Sequence, residues 1–262
     1  ECYIAEEQTN SVGLGFSIGE SLKKNLEVVA DVINREAPCN VICNFAGDIF
    51  RGACYAKHLN PQNIQIIAVI HNDEDAYYYA YACMEKYITY CFVISTRMER
   101  KLLLMGFPKE KIRYLNWNIS CPMVLVRNYS LKGRPILLGY AGRVTVHQKR
   151  MDLLWEVIQK LVDKNIDFSF KIAGIGDYLD DFSAQVKSAS LCSKVHFLGF
   201  ISRERILDFW QQQDIMLSCS DWEGHSISQE EAMAAGAVPI ITDVSGARED
   251  VNNGENGFIV DV

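Results

Sequence analysis

A chain of 262 residues exceeds the usual single-domain length and predicts two domains of roughly 100 to 150 residues, while 49% apolar and 23% charged residues with no low-complexity tract exclude extended disorder. The formal net charge of −7 argues against nucleic acid or an anionic membrane as the main partner, so any anion must be held by a local site. No apolar stretch approaches the roughly 20 residues needed for a transmembrane segment, no signal-peptide pattern opens the chain, and nine scattered cysteines without CxxC or zinc-ribbon spacing read as buried thiols of a reducing, cytoplasmic compartment.

In chain order, the first half predicts helices near 20–36, 48–58, 76–88 and 97–105, and strands near 40–45, 64–70, 90–95 and 112–117. Thr96 and Glu99 have capping-box spacing at the start of the fourth helix. Cys39 and Cys43 lie in a strand-like run and read as core rather than metal ligands. Lys23, Lys24 and Arg35 read as a solvated helix face. "NISCPMVLVRNYSLKGRP" breaks the alternation with turn residues at Lys132, Gly133 and Pro135, which predicts a linker at 119–134 between domains 1–118 and 135–262.

From Pro135 onward the strand-like runs "PILLGYAG", "FSFKIAG", "VHFLGF", "DIMLSCS" and "VPIITDV" alternate with helix-period segments; in the first of these, Leu154, Val157, Ile158 and Leu161 mark one apolar face. Such alternation means right-handed crossovers and a parallel sheet covered on both faces. Ligands in such folds bind beyond the carboxyl ends of the strands.

Those strand ends carry the candidate chemistry. After the first, Gly142 permits close backbone approach, and Arg143 and Lys149 supply two cations suited to a pyrophosphate. After the second, Gly174 and Gly176 precede a helix whose amides could face a phosphate or a nucleotide ring, but Leu179 breaks the GxGxxG pattern and speaks against a dinucleotide-dependent oxidoreductase. No G-x-S-x-G elbow supports a serine hydrolase. After the fourth, Glu223 stands in a loop beside Gly224, and Glu231 falls in the first turn of the next helix. Two roles stay open for Glu231: a ligand contact, or the acid of a capping box with Ser228 that also complements the helix dipole.

Glu223, seven residues, Glu231 and then "AMAAGAVP", together with "GRVTVHQKRMDLL", "VHFLGFISRERILDFWQQQDIMLSCSDWEG" and "SGAREDVNNGENGFIV", resemble the donor-binding domain of the retaining family 4 glycosyltransferases, the glycosyl transferases group 1. The resemblance implies a GT-B fold: two Rossmann-like parallel-sheet α/β domains facing across a cleft. It implies a nucleoside-diphosphate sugar, UDP- or GDP-linked, as donor, a saccharide or glycoconjugate as acceptor, and no metal. Residue by residue, it implies that Gly142, Arg143 and Lys149 hold the diphosphate, with Gly174 beside them. Glu231 would take the ribose hydroxyls, and Glu223 the transferred sugar. The amides after Gly224, at His225, Ser226 and Ile227, would hold sugar or phosphate oxygens, and main-chain groups at Gly199 and Phe200 the base. Gly224-His225-Ser226 departs from the Gly-Phe-Gly frequent in the family, and His225 reads either as a contact to the sugar or as a solvent-facing loop histidine.

The first half resembles the acceptor domain of that family through "IIAVIHNDEDAYY" and "CFVISTRMERKLLLMGFPKEKIRYLNWNIS". The match implies a catalytic-cleft position for His71, alongside Arg143, Lys149 and Glu223, and a turn at Trp117-Asn118. The expected opening strand and Gly-rich loop are not found ahead of the match, since Gly13 and Gly15 are far from an apolar strand, so the expectation is an N-terminal domain that is partial and a chain shortened at both ends. The competing reading is a truncated or degenerate GT-B protein that binds a nucleotide without transfer.

Overall fold

The computed structural model describes residues 21–115, 119, 121 and 133–261. Expectations for Gly13, Gly15, Trp117, Asn118 and most of the 119–134 linker fall outside these residues. The chain divides into two compact units. The first is Glu1–Ile70, Asp75–Phe92 and Lys101–Arg113; the second is His71–Glu74, Val93–Arg100 and Tyr114–Val262.

The first sheet has the order β1 (Cys39–Cys43), β2 (Ile64–Val69), β3 (Tyr90–Val93), β4 (Ile112–Tyr114), with β1 and β3 each parallel to β2. Its helices are α1 (Leu22–Arg35), α2 (Asp48–Leu59), α3 (Asp75–Cys83) and α4 (Thr96–Leu104). Ser21 caps α1 by accepting from the Lys24 amide at 3.4 Å. Helices α1 and α2 meet at Gly52, where a Cβ would come 2.5 Å from that of Val29. Phe50, Ile64, Ile66, Tyr78 and Tyr81 are fully buried, and the Tyr81 hydroxyl donates to the carbonyls of Cys43 and Val69, both at 3.3 Å, so its polar end is satisfied inside the core. The α4 start differs from expectation. Thr96 is already helical, and Ser95 caps the helix, its hydroxyl accepting from the Met98 amide at 3.2 Å.

The second unit carries a six-stranded parallel sheet of order β10-β9-β8-β5-β6-β7. In chain order its elements are β5 (Ile136–Ala141), α5 (Met151–Asp163), β6 (Phe168–Ala173), α6 (Leu179–Ser188), β7 (Val195–Gly199), α7 (Ile206–Gln211), β8 (Ile215–Ser218), α8 (Ile227–Ala234), β9 (Val238–Thr242), α9 (Ala247–Asp250) and β10 (Phe258–Val260). Alternation along β5 decides which helices cover which face. Leu138 and Tyr140 pack with Leu154 and Ile158 of α5 and Phe182 and Val186 of α6. On the other face a Cβ on Gly139 would come 2.7 Å from the Trp210 ring of α7, so only glycine lets that tryptophan lie flat on the sheet. Full burial of each such aromatic contributes about 1.5–3 kcal/mol, and these two layers hold the strand ends in register. Asp214 fastens β5 to β8 by accepting both Arg134 guanidinium nitrogens, at 2.6 and 2.7 Å, and the Leu137 amide at 2.9 Å.

The cysteines are free thiols among the described residues. Cys43, Cys54 and Cys91 are buried as expected, but Cys83, Cys121 and Cys192 are exposed, because each lies at an element end or in a loop rather than within a strand. Burial pushes the Cys54 and Cys91 thiols up to about 12.

Candidate functional site

The chain order reverses at β5, with β6 and β7 laid down on one side and β8 to β10 on the other. Parallel sheets leave a crevice at such a point, beyond the strands' carboxyl ends. A cavity of about 370 Å³ occupies that place in the second unit, lined by Ala141, Gly142, Arg143, Ala173, Gly174, Ile175, Phe200, Ile201, Arg203, Ile206, Ser228 and Glu231.

Its floor requires glycine. A Cβ on Gly174, whose φ is +148°, would come 1.8 Å from the Gly142 carbonyl oxygen, and one on Gly176 would come 2.1 Å from that of Val144. The loops after β5 and β6 therefore touch backbone to backbone, tied by Gly142 N–H to Ala173 O at 3.0 Å and Val144 N–H to Ile175 O at 2.9 Å. The Gly199 carbonyl accepts from the Gly174 amide at 2.7 Å, and Gly199 itself does not line the cavity; its neighbour Phe200, 74% exposed, does.

Helix α8 supplies the opposite wall. Ser226 is its cap, its hydroxyl accepting from the Gln229 amide at 3.3 Å. The capping box expected at Ser228 and Glu231 is thus corrected: the helix begins at Ile227, Glu231 lies in its second turn, and the Ser228 hydroxyl is buried without a hydrogen-bond partner. Ser228 and Glu231, three apart on one helix face, both face the cavity. Burial raises the Glu231 carboxyl, an effect opposed by Arg203 and reinforced by Glu230. Arg203 had no sequence signal; Ser228 had one, in its helical spacing from Glu231.

Beside the cavity lies a second cluster. Lys149 donates to Glu223 at 2.5 Å, with side chains only 17% and 10% exposed, so two of the predicted site residues form a buried ion pair. Gln148 joins this cluster to the cavity. It is buried, adopts a left-handed φ of +73°, accepts from the Arg143 guanidinium and donates to the Trp222 carbonyl at 3.0 Å, next to Glu223. Its own carbonyl accepts from the Asp221 amide at 2.8 Å. Arg150, also left-handed at φ +49°, reaches Asp221 at 2.9 Å and Asp152 at 3.0 Å. The loops after β5 and β8 are thereby locked together by side chains from 148 to 150 and 221 to 223.

Gly224 passes against the main chain of His71, where a Cβ would lie 1.8 Å from the His71 carbonyl oxygen, and the Asp73 amide donates to the Glu223 carbonyl at 3.3 Å. The predicted His71 is half-buried beside this loop, and burial lowers its pKa from the ordinary histidine value. His225 is neither a solvent-facing histidine nor aimed at the cavity. Its side chain is 8% exposed and its Nε2 pairs with Asp250 Oδ2 at 2.7 Å, with Glu230 at 3.4 Å.

Chemically, the cavity offers two guanidinium groups, two glycine-lined strand ends, a carboxylate, a serine without a hydrogen-bond partner and an exposed aromatic ring. A model of the family described as glycosyl transferases group 1 matches residues 126–262, more than half of the chain. The chain belongs to this family. Across curated proteins it resembles an uncharacterized glycosyltransferase of Methanocaldococcus jannaschii, at 22% identity over 93% of this chain and 66% of the relative. Among solved structures, the lipopolysaccharide outer core galactosyltransferase WaaB in its apo form matches with a TM-score of 0.74 at 22% identity, covering 92% of this chain and 66% of WaaB. HepE of Anabaena, solved with UDP and glucose, matches with a TM-score of 0.71 at 15% identity, over 92% of this chain and 70% of HepE. These likenesses show the GT-B fold in the two parallel-sheet units. The chain spans 42% to 66% of the length of the first curated relatives it matches, and none of its described helices is long and apolar enough to cross a membrane.

Proposed function

We propose that the second unit binds a nucleoside-diphosphate sugar and that the protein transfers the sugar to an acceptor hydroxyl with retention of anomeric configuration. The observation that carries this reading is the cavity at the β5 reversal point, which presents Arg143 from one wall and Glu231 with Ser228 from the α8 wall. Arg143, with the Gly142 and Gly174 backbone, suits the diphosphate. Glu231 and Ser228 suit the ribose hydroxyls, because an ionised carboxylate accepts two hydrogen bonds at once. Phe200 offers a face for the base, and Arg203 a further cation near Glu231.

Glu223 is read as the contact to the transferred sugar, with the amides of His225, Ser226 and Ile227 and the His71 side chain near the same loop. Lys149, paired with Glu223, shares its charge with the leaving diphosphate. Permanent cations in a partly dry site stabilise that developing charge without a metal. The acceptor hydroxyl attacks from the leaving-group side, a diphosphate oxygen takes its proton, and the nucleoside diphosphate departs. The acceptor is read as a saccharide or glycoconjugate, and the free thiols fit a reducing, cytoplasmic setting.

Proton NMR of the methyl glycoside formed from UDP- and GDP-linked glucose, galactose, mannose and N-acetylglucosamine, with methanol as a surrogate acceptor hydroxyl and EDTA present, tests the reading. Slow formation from one donor of the methyl glycoside with the donor's own anomeric configuration is expected. Formation of the opposite glycoside, or turnover only when a divalent cation is added, would contradict it.

A further inference from the structure

His225 has no place in the chemistry above, yet it is among the most enclosed ionisable groups of the second unit. Its Nε2 lies 2.7 Å from Asp250 on α9 and 3.4 Å from Glu230 on α8. Gln229 Nε2 donates to the same Asp250 oxygen at 3.0 Å, and the second Glu230 oxygen is buried with no hydrogen-bond partner. Gly246, at φ +81°, brings the α9 turn so close that a Cβ there would lie 2.8 Å from the His225 Cα. The histidine therefore stitches the 223–226 loop to α9, with Glu223 at one end of the loop and the α8 cap Ser226 at the other.

We propose that His225 is a positioning residue which, as an imidazolium held between Asp250 and Glu230, fixes the 223–226 loop for donor binding and makes donor affinity fall as pH rises. This rests on the donor reading of the neighbouring cavity.

The surroundings favour the protonated form. Asp250 and Glu230 both face the same ring nitrogen, Nε2, so two negative charges converge on the edge of the ring that carries the shared proton. Burial works against the cation, but the Asp250 hydrogen bond, the charges of Asp250 and Glu230 and the Ile94 backbone outweigh it, so the His225 pKa is raised above 6.5. Burial also raises Glu230, an effect moderated by His225. The other titratable groups coupled to the cluster are Glu231, whose carboxyl is raised by burial and by Glu230, and Tyr114 of β4, whose hydroxyl is pushed up to about 12 by burial, Glu249 and Asp250, outside the working range. The folded pKa of His225 is raised, so its stabilisation is complete below the ordinary histidine value and is lost as pH climbs past its folded pKa; Glu230, also raised, loses its contribution as pH climbs past its own folded pKa. The 2.7 Å separation of His225 Nε2 and Asp250 Oδ2 is that of a direct hydrogen bond.

The test compares the full chain with His225→Asn by calorimetric titration with UDP from pH 6 to 9, alongside an NMR titration of the His225 ring and amide exchange at 224–226. The expected result is a ring that titrates above 6.5 and a wild-type affinity advantage that shrinks about fivefold or more across this range, with faster loop exchange in the variant at low pH. The ionisation of UDP itself is common to both proteins and cancels in the ratio. Identical pH profiles, a ring titrating below 6.5, or unchanged loop exchange would overturn the proposal. If UDP binds neither protein at any pH while ring and loop exchange behave as expected, the donor reading fails and the clamp stands. Asp250→Asn, which removes the charge and keeps the side-chain shape, gives the same readouts if His225→Asn does not fold.

Discussion

At the scale of single residues, the Lys149–Glu223 pair joins two predicted site residues at 2.5 Å. Both charges are mostly withdrawn from water, so removing one strands the other, and such losses cost about 3–5 kcal/mol. Glu223→Ala is expected to lower unfolding stability by about 3 kcal/mol, while Lys149→Met with Glu223→Leu restores most of it, as measured by denaturant unfolding; equal stability of the single and double variants would contradict the pair's role. Ser228 makes the opposite prediction. Its hydroxyl has no hydrogen-bond partner within the protein, so Ser228→Ala should leave stability unchanged or slightly raised and weaken nucleotide binding by about five- to tenfold, the loss of one hydrogen bond. A stability loss without an effect on binding would remove Ser228 from the site. Neither pairing was legible beforehand: Lys149 and Glu223 are far apart in sequence, as are His225 and Asp250, and only the folded sheet brings them together.

At the scale of elements, the strands and helices were legible because a buried parallel sheet demands continuous apolar runs and amphipathic helices between them. Their starts were less so. Ser226 with Gln229 and Ser228 with Glu231 both fit the capping pattern, and two overlapping signals can be separated only by which serine has extended backbone; Ser226 does, at φ −78° and ψ 103°. The glycines at strand ends make sharper predictions than the caps. Gly174→Ala and Gly224→Ala each place a methyl within 1.8 Å of a carbonyl oxygen, which displaces backbone rather than a side chain. Each is expected to cost more than about 4 kcal/mol, read by thermal unfolding, whereas Gly47→Ala, with nothing within 4 Å of the added carbon, should change stability by less than about 1 kcal/mol. Similar losses at all three would contradict the close approaches.

At the scale of the whole molecule, the motif from Glu223 to Pro239 and the strand order both fall at the proposed donor site, and the family match over residues 126–262 covers the unit that contains it. Arg143, Gly142, Gly174, Phe200 and Glu231 meet in the cavity as a set, while Lys149, Glu223, Gly224 and His71 gather beside it. The division was not legible from spacing, because it depends on Gln148 turning left-handed between Arg143 and Lys149. The most direct test of this account is calorimetric titration of the chain with UDP, GDP and ADP in EDTA, repeated on Glu231→Ala and Arg143→Ala. Binding of one nucleotide, weakened at least about tenfold by each substitution, is the predicted result. Binding that survives both substitutions unchanged would place the nucleotide elsewhere and contradict it.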